Sequence, residues 1–330
     1  MARKIPPERD ADSDRTLHDL FAHAAPREQP PLADAEEIRR AVYAEWDRLT
    51  GRRVLWRRAG IATAAAAVAA AAVVLVVGRE PAMPLPTVAR VERVMGAVEI
   101  EVAGLDRAVK VGEEIPEGAA LVTGSGQAAL RLASGGSLRL APQTRLELTA
   151  ANAADLEAGA VYFDSERAQT RGQPFTIDTS HGTVRDVGTQ FAARVDDARL
   201  EVGVRTGRVE LTRGAESTAA AAGEMLTAVA GAAVRREALP TFGDHWAWAE
   251  RLAPPFDIDG RRLYEVLEWI AGQTGRTLAF ADPALERLAR DTVLSGSIDL
   301  EPMQKLVAVL ATSGDLDYEV EGGRLLILDK

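Results

Sequence analysis

Twenty consecutive uncharged residues, Ala59 to Gly78, constrain this chain more than any other stretch. Ten are Ala; the apolar weight comes from Ile61 and Val68 after Ala59 and Gly60, then from Val73, Val74, Leu75, Val76 and Val77 before Gly78. Wound as a helix at about 1.5 Å per residue, the stretch is about 30 Å long, the thickness of the hydrocarbon core of a bilayer. Arg52, Arg53, Arg57 and Arg58 stand just before it, and only Arg79 comes closely after it. Positive charge collects on the cytoplasmic side of a span. The expectation is one membrane helix over 59–78, with residues 1–58 in the cytoplasm and everything after Gly78 exported. Two readings compete with it. The apolar residues each contribute only about −0.3 to −0.6 kcal/mol to insertion, so an Ala-rich helix buried in a soluble protein is one. A cleaved signal peptide is the other, and its charged leader would be unusually long.

The 330 residues leave room for two or three domains. A net charge of −10 argues against a broad nucleic-acid surface, because such surfaces are basic. There is no cysteine, which excludes disulfide staples, thiolate zinc sites and a thiol nucleophile together. The four histidines, His18, His23, His181 and His245, include no pair at metal-ligand spacing. No metal, cofactor or catalytic group is expected, and the chain reads as a non-enzyme.

Residues 1–58 hold two candidate helices separated by Pro26, Pro30 and Pro31. The first carries Leu17, Leu20 and Phe21. The second opens on a capping box, Asp34 with Glu37, and sets Ile38, Val42, Trp46 and Leu49 in one stripe. Two short helices bury little by themselves. Either the stripe packs on the first helix, or it is an amphipathic hook for another protein's groove.

After a Pro-containing linker over 79–87, residues 88–238 change to short β runs punctuated by glycine. Gly96-Ala-Val-Glu-Ile, Gly136-Ser-Leu-Arg-Leu, Gly159-Ala-Val-Tyr-Phe, Gly182-Thr-Val-Arg-Asp and Gly207-Arg-Val-Glu-Leu share one pattern, the last four at intervals of 23, 23 and 25 residues. Such a period predicts stacked β units in a solenoid-like, all-β layer; an ordinary sandwich with glycine at its turns is the alternative. Val187-Gly-Thr-Gln-Phe191 followed by Leu200-Glu-Val-Gly-Val-Arg-Thr-Gly207-Arg-Val-Glu-Leu resembles the signature of the FecR domain. Leu121-Val-Thr-Gly-Ser-Gly-Gln-Ala-Ala-Leu130-Arg-Leu and Gly136-Ser-Leu resemble its earlier half. The resemblance covers about 90–230. It implies a periplasmic domain of single-pass regulators of iron-siderophore uptake and related systems, with nothing catalytic in its pattern.

Other groups carry less. Gly124-Ser-Gly126 precedes a strand rather than a helix, so no dipole waits there for a phosphate. Asp155, Asp164 and Glu166 could be paired on paper as glycosidase carboxylates, but sequence gives no separation between them. His181, between Ser180 and Gly182, reads as a turn residue.

A second linker, 239–254, brings Trp246 and Trp248, which either pack the β domain against the C-terminal residues or anchor a partner. Over 255–330 the pattern predicts a small α+β domain. Phe256–Ile258 reads as a strand, Leu263, Val266, Leu267 and Ile270 as a core-facing helix, and Thr277–Phe280 and Val293–Ile298 as strands. A helix through Leu306, Val307 and Leu310 and a hairpin around Glu321-Gly-Gly323 complete about five strands and two helices. Val266-Leu-…-Ile270-Ala-Gly-Gln-Thr-Gly275, Leu294-Ser-Gly296 and Leu310 through Tyr318 resemble the STN domain, a docking module shared by secretins and TonB-dependent receptors. The resemblance implies exposed strand edges for a partner, here the hairpin ending at Leu328.

The expected whole is a multi-domain membrane protein with a helical cytoplasmic segment, one transmembrane helix, a FecR-like β domain and an STN-like module. The resemblance implies an inner-membrane anti-sigma factor or sigma regulator. Its hook residues Leu17, Leu20, Phe21, Ile38, Val42, Trp46 and Leu49 would hold an extracytoplasmic-function sigma factor. Its periplasmic half would meet the signalling domain of a TonB-dependent receptor or another envelope protein. The competing reading is an envelope scaffold that binds cell-wall glycan or another envelope protein without sigma-factor control.

Overall fold

The computed structural model describes residues 36–37, 39–45, 85–165, 174–313 and 316–330. The chain divides into two compact units, Met1–Met83 and Pro84–Lys330. In the first, residues 36–37 and 39–45 are helical and solvent-exposed.

The second unit opens with β1 (Thr87–Met95), the hairpin β2 (Glu99–Val102) and β3 (Leu105–Ala108), then β4 (Glu114–Pro116) and β5 (Ala119–Val122). From there strands come in pairs. β6 (Gln127–Leu132) precedes β7 (Ser137–Leu140), β8 (Arg145–Ala150) precedes the long β9 (Ala153–Asp164), and β10 (Thr176–Thr179) precedes β11 (Gly182–Asp186). Next come β12 (Gln190–Val195) with β13 (Arg199–Thr206), β14 (Arg208–Arg213) with β15 (Glu216–Ala221), and β16 (Glu224–Val229) with β17 (Arg235–Ala238).

These strands form two sheets. One runs β4-β1-β6-β7-β9-β12-β13-β16-β17. The other runs β3-β2-β5-β8-β9-β10-β11-β14-β15. Hairpins are shared between them: β6–β7, β12–β13 and β16–β17 in the first, β2–β3, β10–β11 and β14–β15 in the second. β9 belongs to both: its first half lies between β8 and β10, its second between β7 and β12. Gly159 makes the crossing, at φ +95°, where a Cβ would stand 2.5 Å from the backbone of Gln143 and Thr144.

Alternate residues of each strand point inward, as period 2 requires. Leu138, Leu140, Val161, Phe163, Val202 and Val204 of the first sheet meet Leu121, Leu146, Leu156, Ile177, Val184 and Leu211 of the second in one core. The FecR-like signature is a corner between the layers. Val187-Gly188-Thr189 carries the chain from β11 to β12, and the Thr189 hydroxyl donates to the buried carboxylate of Asp186. Gly207 closes against it, since a Cβ there would lie 2.3 Å from the Gly188 oxygen.

The C-terminal part contains α1 (Asp244–Arg251), α2 (Leu263–Gln273), β18 (Thr277–Phe280), α3 (Pro283–Asp291), α4 (Pro302–Ser313), β19 (Leu316–Glu321) and β20 (Arg324–Asp329). Leu263, Val266, Leu267, Ile270, Leu306 and Leu310 face Leu325 and Ile327 in a second core. The sheet is three-stranded in the order β18-β20-β19.

Several expectations need correction. The fold class is corrected: the described residues are mostly strand with few helices, and among them no helix is long and apolar enough to cross a membrane. The span expected over Ala59–Gly78, with its flanking arginines, lies outside the described residues. The β domain is not solenoid-like, because antiparallel hairpins distributed over two sheets enclose one shared core. Phe256–Ile258 forms no strand; prolines 254 and 255 lack N–H donors, and the Phe256 carbonyl accepts from Lys305 Nζ at 2.7 Å. Val293 makes one isolated bridge to Arg262 rather than a strand. The unforeseen α3 is started by Asp282, whose side chain accepts from the Ala284 N–H at 2.6 Å, and by Pro283 in its first turn. Leu328 lies on the central strand β20, so the edges of this sheet are β18 and β19.

Candidate functional site

The outward face of the first sheet is covered by the chain's own C-terminal part, and charge is concentrated at that junction. Between the inward leucines of β7 lies Arg139, and beside the inward Val204 of β13 lies Arg205; both side chains are fully buried. Arg205 occupies a β-bulge: Val204 pairs with Phe191 and Thr206 with Gln190, leaving Arg205 as the extra residue. A bulge re-aims a side chain in this way.

Arg139 Nη1 donates to the Ala249 carbonyl at 2.7 Å, and Nη2 donates to Gln273 Oε1 at 2.5 Å. Asp164, buried on β9, lies 3.8 Å from the same guanidinium and accepts from Gln273 Nε2 at 3.2 Å and Gln190 Nε2 at 3.0 Å. Arg205 Nε donates to the Thr241 carbonyl at 2.8 Å, Nη1 to the Gln273 carbonyl at 2.9 Å, and Nη2 to the Glu250 carboxylate. Ala249 and Gln273 sit in the last turns of α1 and α2. The two arginines therefore bond carbonyls at helix ends, that of Ala249 shared with the Leu252 N–H, and place positive charge at the negative ends of two dipoles.

An apolar cluster surrounds these charges. Trp246 is fully buried, meets the edge of Tyr162 at 6.0 Å between ring centroids, and donates from Nε1 to the Pro240 carbonyl at 2.7 Å. Arg139 lies 4.8 Å from the Tyr162 ring centroid and Arg205 5.0 Å from that of Trp246, both within cation–π range. Burial pushes the Tyr162 phenol above its usual range, and Arg205 and Arg139 pull the other way. Small residues admit the helix: a Cβ on Gly203 would lie 2.6 Å from Leu239 and 3.5 Å from Trp246. At Gly275, φ +65°, a Cβ would lie 1.9 Å from the Thr241 oxygen. His245 packs on Trp246, and burial together with Arg194 holds its imidazole below the usual range. A cleft of about 490 Å³ runs along the junction, with Asp164, Gln190, Trp269 and Gln273 among its walls.

The residues singled out from sequence fall elsewhere or apart. Of the hook residues, Val42 is described and is 61% exposed, beside exposed Tyr43. Leu17, Leu20, Phe21, Ile38, Trp46 and Leu49, the span residues and Arg52, Arg53, Arg57 and Arg58 lie outside the described residues. Asp155 and Asp164 stand on the two halves of β9, paired into different sheets, and Glu166 is outside the described residues. His181 sits in the β10–β11 turn, with Nε2 3.0 Å from the Asp196 carbonyl oxygen. Gly126 lies against the β1–β2 turn, where a Cβ would come 2.3 Å from the Ala97 oxygen. Among the described residues no group of three His, Cys, Asp or Glu side chains is arranged to hold a metal ion. Sequence reading passes over Arg139 and Arg205, which look like the solvent-facing half of an alternating strand. The available signal is the chain downstream, with Trp246 and the Gln273-Thr-Gly275 corner able to cover that face.

Residues 119–210 match the family model described as FecR protein. This part of the chain is similar to a FecR domain. It starts at β5 and ends within β14, so Arg139, Tyr162, Asp164 and Arg205 all belong to it, and the strands on either side complete its two sheets. Two crystal structures of a candidate anti-sigma factor from Parabacteroides distasonis ATCC 8503 are similar at 18% identity, over 63% of this chain and 97% of that one, with TM-scores of 0.32 and 0.33. A cell surface anchoring domain is similar at 22% identity over 19% of this chain and 86% of its own, with a TM-score of 0.19. No curated protein matches the chain.

Proposed function

We propose that this protein is a FecR-type sigma-factor regulator, in which residues 1–58 hold an extracytoplasmic-function sigma factor and residues 84–330 read a signal in the periplasm. The signal is brought by the signalling domain of an outer-membrane receptor or by another envelope protein. The observation that carries the reading is the FecR-like domain built into one unit with the C-terminal part, while the candidate sigma-binding residues lie in a separate unit. The role proposed is binding; the carboxylates Asp155 and Asp164 are paired into different sheets, and His181 serves a turn.

The test is a two-hybrid screen of residues 1–58 against every extracytoplasmic-function sigma factor of the same cell. Capture of one sigma factor, abolished by Trp46→Ala, is expected. Capture of none overturns the sigma-factor role. Separately, residues 84–330 should retain a receptor signalling domain from the same cell in a pull-down, and retention of no envelope protein overturns the sensing role.

A further inference from the structure

The buried charges at the junction are divided unequally between its two sides. Arg139, Arg205 and Asp164 belong to the FecR-like domain, and Glu250 belongs to α1, whose Trp246 is packed on that domain's sheet. Across the seam, the segment 256–330 meets these buried charges with the amide and the carbonyl of Gln273, and the Gly275 carbonyl accepts from Thr241; its charged Arg276 lies over the Phe242 ring, 5.6 Å from the centroid. We propose that residues 256–330 form a releasable module, docked on a body made of β1–β17 and α1, and that the seam is the moving part of the regulator.

Separating the two sides leaves no buried charge without a partner. Arg139 keeps the Ala249 carbonyl and Asp164, while Arg205 keeps Glu250 and the Thr241 carbonyl. Separating charges inside a protein is costly, but the bonds that Gln273 gives up join charged groups to neutral ones, and water replaces them. An ion pair that does cross the seam, Arg93 with Asp299 at 2.6 Å, is exposed on the aspartate side and contributes little. Each side also has its own apolar core, one through Val161 and Phe191, the other through Leu267 and Ile327. The cleft beside Asp164 and Trp269 already brings solvent to the seam. Interfaces of this polar kind between parts with separate cores permit relative motion. Release of the module does not depend on which partner the N-terminal unit binds.

Because the chain has no cysteine, two introduced ones carry spin labels uniquely. Labels at Glu147→Cys on the body and Glu319→Cys on the module, in the full-length protein, report the seam by double electron–electron resonance. One main distance is expected for the otherwise unaltered chain. Gln273→Ala should raise the population at longer distances about tenfold, and Gly275→Ala, whose Cβ meets Thr241, should move most molecules there. Near-ultraviolet circular dichroism should keep the signal of buried Trp246 in both. Unchanged distances in both variants overturn the proposal. So does loss of the tryptophan signal together with the secondary structure, because body and module would then be one cooperative unit.

Discussion

Arg139 and Gln273, 134 residues apart in the chain, meet at 2.5 Å, and this contact joins the FecR-like sheet to the C-terminal end of α2. Gln273 turns its amide so that Oε1 accepts from the guanidinium and Nε2 donates to Asp164, the carboxylate on the neighbouring strand. One neutral side chain thereby reads an acid and a base at once. Arg205, on the far side of Tyr162, takes the carbonyl of the same glutamine. The sheet thus recognises the end of a helix by its open backbone and by one amide.

Arg205→Ala should be among the most damaging single changes to this unit. It removes the donor from the Thr241 carbonyl, the Gln273 carbonyl and the Glu250 carboxylate together. A loss of about 3 kcal/mol is expected when one partner of a buried pair is removed, read as a lower urea midpoint with the slope unchanged. Tyr162→Phe provides the contrast. Its hydroxyl accepts from Arg205 at 3.4 Å, a long bond, so the cost should stay under about 1 kcal/mol.

Asp186 sets a pH dependence. Its buried carboxyl is pushed up from the usual 3.8, mainly by desolvation and in small part by Asp164, against hydrogen bonds from Thr189 and Gly188. Folding therefore favours the protonated acid. The stability this gives is present in full below the unfolded value and is lost as pH rises through the folded one. Urea unfolding at steps from pH 3.5 to 7 should show the parent losing stability relative to Asp186→Asn as pH rises. A constant difference between the two across that range would sink the assignment.

Much of the body is legible in the sequence because glycine and alternation are local signals. Each of the five Gly-x-apolar motifs does mark the start of a strand, or at Gly159 the crossing within one, and the inward leucines of β7 and β8 obey period 2. The two-sheet arrangement is not legible. A fixed interval says that units repeat, whereas the sheet that each hairpin joins depends on pairings such as β11 with β14 across an intervening hairpin. Arg139 and Arg205 are hidden for a related reason: burial of an outward-facing residue is decided by what covers it, and α1 arrives a hundred residues after Arg139. α3 carries readable signals, the Asp282-Pro283 helix start and Leu285, Leu288 and Ala289 at i, i+3 and i+4, but it is only nine residues long and fully buries only Ala289.

Gly159→Ala tests the crossing strand. The residue has φ +95°, and the added Cβ would stand 2.5 Å from backbone atoms of Gln143 and Thr144, which cannot rotate away as a side chain can. The two halves of β9 would be pulled out of register with β7 or with β8. A destabilisation of about 2 kcal/mol or more is expected from strain at such a position. Gly104→Ala is the control: its φ is also positive, at +76°, but a Cβ there meets nothing within 4 Å, so it should cost only about 1 kcal/mol. Equal thermal shifts for the two would show that packing at the crossing does not matter.

The N-terminal unit should separate binding from stability. Val42 is exposed on its helical segment, so replacing it breaks no core. If the stripe of Ile38, Val42, Trp46 and Leu49 enters a groove on the sigma factor, Val42→Asp buries a charge in that groove. The cost of an unpaired buried carboxylate is several kcal/mol, enough to lower the affinity at least a hundredfold. The same change should leave the unfolding of residues 84–330 untouched, because the two units are compact separately. Isothermal titration of the captured sigma factor with full-length protein measures the first, and urea unfolding monitored by tyrosine and tryptophan circular dichroism measures the second. Undiminished sigma binding by Val42→Asp would place the contact on another face of the helix.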